Sequence, residues 1–167
     1  MTGGRRSGRQ REALYGFSLV ELAVALALLS GLLYLLLDRV LTMQEMAEKT
    51  EVEETVRSID HALRLEAASR MARGGGPKRL PLEKENPIKW LQTPPRNYLG
   101  EMEKPPGHAV PAFWYFHPGE RQLIYRPNRA EHLVVEGGGT RELRFAVRGD
   151  GNLPHPRLLP LTAYKWF

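Results

Sequence analysis

Apolar residues along this chain fall into three patterns, and each predicts a different element. From Phe17 to Leu37 they run almost without interruption, and Glu21 carries the only formal charge in those 21 residues. Such a run predicts a membrane-spanning helix, because about 20 apolar residues rising about 1.5 Å each cross the hydrocarbon layer of a bilayer. From Asp38 to Arg73 the pattern becomes helical in period. Val52, Val56, Ile59, Leu63, Ala67 and Met71 recur every three or four residues, while Glu48, Lys49, Glu51, Glu53, Glu54, Arg57 and Asp60 fall mostly off that stripe. Neither proline nor glycine interrupts this segment before Gly74-Gly75-Gly76-Pro77. The helix is therefore expected to continue past the span, bury one stripe against a domain and stop at the glycines.

Beyond it the helical period disappears. Residues 74–111 hold Pro77, Pro81, Pro87, Pro94, Pro95, Pro105, Pro106 and Pro111, a density that forbids a long helix and predicts a packed connecting loop. Ile88, Trp90, Leu91, Tyr98 and Leu99 supply its packing residues, with Trp90 a core anchor before it is a ligand-stacking one. Residues 112–167 read as antiparallel sheet and a C-terminal tail. Ala112 to His117 and Gln122 to Arg126 form a hairpin about Pro118-Gly119-Glu120, and His132 to Val135 joins Glu142 to Arg148 through Gly137-Gly138-Gly139. The expected unit is α+β: one helix laid on a four-stranded antiparallel meander. Phe113, Tyr115, Phe145 and Val147 should lie on sheet faces packed against Val52, Val56, Ile59 and Leu63.

Charge refines the first pattern. Arg5, Arg6, Arg9 and Arg11 against Glu12 make the first sixteen residues a basic flank, which the positive-inside rule keeps cytoplasmic, so the rest of the chain faces outward. Most of the overall net charge of +5 resides in that flank, and the high isoelectric point therefore gives no reason to expect a nucleic-acid partner. Cysteine is absent, which excludes disulfide staples and thiol chemistry from the outward domain. A cleaved secretory signal fits poorly, since the apolar run is too long and Leu35-Leu36-Leu37 leads directly into Asp38-Arg39 with no small-residue cleavage site.

Gly16-Phe17-Ser18-Leu19-Val20-Glu21, behind a basic leader and ahead of an apolar span, resembles the processing signal of type IV pilins and the pseudopilins of type II secretion. The resemblance implies a pilin-like fold and a division into a leader at 1–16, a transmembrane helix at 17–37, its amphipathic extension at 38–73, a proline-rich αβ-loop at 74–111 and a sheet at 112–167. It also implies cleavage after Gly16 by a prepilin peptidase, N-methylation of Phe17 and use of Glu21 in assembly. The implied partners are other pilin or pseudopilin subunits, the peptidase, the inner membrane and its assembly platform. Many members carry a proline near the twenty-second mature residue. Asp38 stands there in this chain, so the kink that an interior proline imposes is not expected.

The residues themselves give Glu21 a reason to exist. A charge within the bilayer costs about 2.5 kcal/mol or more and is seldom kept without a partner. After cleavage the Phe17 amine lies four residues away, about 6 Å along the axis, and an axially shifted neighbour brings its amine to this carboxylate. The bland alternative is that Glu21 snorkels to the headgroups.

No catalytic constellation is visible. His61, His108, His117, His132 and His155 are scattered without ligand spacing, and neither glycine triplet has the lysine and helix start of a phosphate loop. Asp150-Gly151-Asn152 reads as a turn. Some secretion pseudopilins bind calcium near the C-terminus, but calcium takes about six to eight oxygens and one acidic position lies here, so no metal or cofactor is expected. The expectation is a non-enzymatic filament subunit; the alternative is a single-span, membrane-anchored extracytoplasmic binding protein.

Overall fold

The computed structural model describes residues 18–73, 81–105, 112–137, 141–149 and 155–167. The chain divides into two compact units, Met1–Leu41 and Thr42–Phe167. One helix, α1 (Leu19–Ala72), contributes to both, and its helical assignment passes through Asp38 without a break. Ser18 precedes it as cap: the Val20 N–H donates to Ser18 Oγ at 3.3 Å, and the Leu22 N–H to the Ser18 carbonyl at 2.9 Å. The glycine stop at Gly74 to Gly76 lies outside the described residues.

In the Thr42–Phe167 unit the stripe behaves as its period requires. Val52, Ile59, Leu63 and Ala67 are buried and Val56 is half-buried, whereas Met71, in the last turn, is 43% exposed. Val52, Val56, Ile59 and Leu63 pack on a five-stranded sheet of order β1-β2-β3-β5-β6, built from β1 (Tyr98–Glu101), β2 (Phe113–His117), β3 (Gln122–Arg126), β5 (Leu143–Arg148) and β6 (Arg157–Pro160). The fold class α+β holds. The meander does not, because β1 pairs parallel to β2, which makes the sheet mixed, and β4 (Leu133–Val135) leaves it to pair with β7 (Tyr164–Trp166) in a separate ribbon.

These departures have local causes. β5 is engaged on both edges, by β3 and β6, so β4 has no place beside it. Gly137, at φ +97°, is a backbone state suited to glycine; Gly138 and Gly139 lie outside the described residues, but the triplet does not close a β4–β5 hairpin. The proline-rich connector is more than loop: it forms 3-10 turns at Pro81–Lys84 and Pro87–Trp90 and the edge strand β1. Asn86 organises that region, accepting from the Ile88 N–H at 3.0 Å and donating to Tyr98 Oη at 2.7 Å and Glu101 Oε1 at 3.0 Å. Ile88, Trp90, Leu91 and Tyr98 all pack on the main core.

The β2–β3 hairpin forms as the alternation predicts, in register from Phe113↔Arg126 to His117↔Gln122. Both faces of β2 are buried, which divides its aromatics. Trp114 and Phe116 join Tyr125, Phe145 and Val147 in the cluster that contains Val52, Ile59 and Leu63. Phe113 and Tyr115 instead turn to the other side with Ile124 and Met102, so the expected contact of those two with the helical stripe is corrected. Ile59, with no exposed surface, occupies the middle of the buried stripe. Ile59→Ala is expected to cost about 2 to 5 kcal/mol of unfolding free energy. An unchanged denaturation midpoint in detergent solution would contradict that packing.

Candidate functional site

Two parts of α1 carry polar groups that its hydrophobic pattern does not explain. The first lies in the apolar stretch. Leu19 is 85% exposed, Leu28 71% and Tyr34 74%, and none of the most apolar 18-residue window is buried. By length and composition this helix is able to span a membrane. A helix apolar on every side finds its stable surroundings in lipid or among other helices. Its interior hydroxyl is satisfied locally, since Ser30 Oγ donates to the Leu26 carbonyl at 2.7 Å.

Glu21 sits in the first turn of α1 and is exposed. Its position three residues after the Ser18 cap matches the spacing of a capping box, and the partial positive charge of a helix N-terminus favours an acid there. That spacing is legible in Ser18-Leu19-Val20-Glu21. Glu21 forms no side-chain hydrogen bond or ion pair among the described residues. Gly16 and Phe17, the expected cleavage and methylation residues, lie outside the described residues, as do Asp150 and Asn152.

The second part is Glu45 and Glu48, which are buried although each carries a carboxylate. Glu45 Oε1 accepts from the His132 N–H at 2.9 Å and the Trp166 indole N–H at 3.0 Å, while Oε2 lies 2.9 Å from His132 Nδ1. Glu48 Oε1 accepts from Tyr125 Oη and the Asn128 N–H, both at 2.8 Å, and its Oε2 from the Arg129 N–H at 3.2 Å. These bonds fasten α1 to the β3–β4 connection and the β4–β7 ribbon. The Phe167 ring stacks on His132 at 4.7 Å and adds to the same join.

The surrounding charges are consistent with this arrangement. Burial pushes the Glu45 carboxyl up, but the donors of His132 and Trp166 together hold it below its usual value. Burial and the Glu48 carboxylate push the Tyr125 phenol far up, so it stays protonated and donates. Sequence reasoning missed both glutamates. Their signal was positional: Glu45 and Glu48 extend the stripe backward from Val52 at the same spacing of three and four, placing polar residues on the packing face.

The chain matches no family model, no curated protein and no solved structure. Among the described residues no three His, Asp or Glu side chains converge in a metal-binding group, and the buried carboxylates are already occupied by protein donors. They form a structural join and leave the apolar helix with Glu21 as the candidate site.

Proposed function

We propose that this chain is a pilin-like structural subunit of a type IV pilus or a type II secretion pseudopilus, cut after Gly16 by a prepilin peptidase and assembled through its N-terminal helix. The observation that supports this most is the division of labour within α1. Its first part is apolar, exposed and bears one carboxylate in its first turn; its later part packs a small α+β unit. In the precursor the apolar part spans the inner membrane, with the basic leader cytoplasmic and the Thr42–Phe167 unit extracytoplasmic. In the filament it packs against the same helix of other subunits, and Glu21 accepts a neighbour's Phe17 amine. The partners on this reading are other pilin or pseudopilin subunits, the prepilin peptidase and the assembly platform.

Processing is the first test. Mass spectrometry of the protein purified from membranes of its own host should find an N-terminus at methylated Phe17. Gly16→Leu should leave an uncut chain, because the peptidase must approach the backbone closely at a residue without a Cβ. An intact Met1 on the parent protein would instead support a membrane-anchored binding protein that keeps its leader.

A further inference from the structure

The Thr42–Phe167 unit has a groove of about 560 Å³ beside α1. Glu51, Glu54 and Ser58 line its helical wall, and Leu91, Thr93 and Pro95 lie across from them. On the helical wall the Glu51 and Glu54 carboxylates form no ion pair among the described residues. Arg96, beside Pro95, adds a cation to the far wall. A ligand for this groove needs apolar bulk and a positive charge aimed at the helical wall.

Farther along the same helix a surface has that complementary chemistry. Leu65 is 65% exposed, and Arg64 and His61 beside it are exposed as well. Arg64 makes no ion pair among the described residues. Ala68, a turn away, is small and leaves Leu65 standing clear of its neighbours. Single exposed leucines are ordinary; this one is flanked by a cation that has no ion pair among the described residues and that matches the acids on the groove's helical wall. Ser58 and Leu65 are seven residues apart on one rigid helix, about 10 Å along its axis, so a copy cannot place its own Leu65 in its own groove.

We propose that the groove receives the Leu65 turn of a second copy of this chain, with Arg64 of that copy set against Glu51 and Glu54. The two patches differ, so the contact is heterologous and can be repeated from copy to copy without closing, as an open filament requires. The inference rests on the filament-subunit reading and names a contact that subunits would make outside their apolar helices.

The test uses full-length protein in membranes and benefits from a chain that has no cysteine. One tagged copy carries Thr93→Cys and a differently tagged copy Leu65→Cys, and a short bismaleimide is added. The expected result is a heterotypic crosslink, reduced at least tenfold when Glu51→Lys and Glu54→Lys are added to the groove copy. Adding Arg64→Glu to the Leu65 copy should then restore it in part. Arg121→Cys in the β2–β3 turn replaces Leu65→Cys as the control for random collision, and an equal yield from that pair would overturn the proposal. So would a yield indifferent to charge reversal. Absence of the thiol crosslink while an amine-reactive reagent still joins copies would overturn this contact and leave assembly standing; no crosslink with either reagent would overturn both.

Discussion

Glu45→Ala should unfold the Thr42–Phe167 unit at markedly lower denaturant, with a loss of about 3 to 5 kcal/mol. The substitution removes one acceptor group and strands the His132 N–H, the His132 ring and the Trp166 indole N–H, at roughly 1 to 3 kcal/mol for each buried donor, less where water reaches the half-exposed His132 ring. Glu45→Gln should cost less, because the amide keeps one accepting oxygen. The pH dependence has a definite sign. Glu45 is held below the usual 4.5 by its donors against the opposing effect of burial. A carboxyl depressed in the folded state contributes stability that is present above its unfolded pKa and lost as pH falls through the folded value. Stability of the parent should therefore fall on acidification below about pH 4.5, and Glu45→Gln should flatten that fall. Denaturant titrations of full-length protein in detergent at several pH values measure both effects; equal midpoints for parent and Glu45→Ala would show that the join contributes nothing.

How much of this was readable beforehand depends on the length of each signal. The apolar run and the stripe from Val52 to Ala67 extend over many turns, so periodicity found them, and the β2–β3 hairpin had a full alternation with a turn residue between. β1, β4 and β7 are three or four residues each, too short to show a period of two. β6 ends at Pro160, which its position at the sheet edge accommodates, although proline argues against a strand in the sequence. Strand partnership was less legible than strand existence, since pairing depends on which edges remain open. β4 and β7 lie far apart in sequence and meet where Leu133 and Trp166 enter one core. The two buried glutamates are hidden from a pattern reading because charge ordinarily marks the solvent face. At Glu45 and Glu48 the spacing was the better guide. For the candidate site, Glu21 is legible as an anomaly, a lone carboxylate in the first turn of an apolar helix.

Glu21→Val should separate membrane insertion from assembly. Removing a carboxylate from the apolar stretch lowers the cost of entering the bilayer, so the variant should reach the membrane at least as well as the parent. Its filament contacts should fail. A neighbour's Phe17 amine would be buried without its counter-charge, at about 3 to 5 kcal/mol for one broken buried pair, a loss of roughly a hundredfold or more in association. Glu21→Gln distinguishes pairing from capping: the amide preserves the capping-box spacing behind Ser18 but carries no charge. If charge pairing drives assembly, both variants lose it; if Glu21 only caps the helix, Gln restores what Val removes. The most direct measurement is the yield of crosslinks between subunits in living cells, compared with the amount of each variant in the membrane fraction. Parental membrane levels and crosslinks that nearly vanish are expected for both variants, whereas parental crosslink yield from Glu21→Val would contradict assembly through this carboxylate.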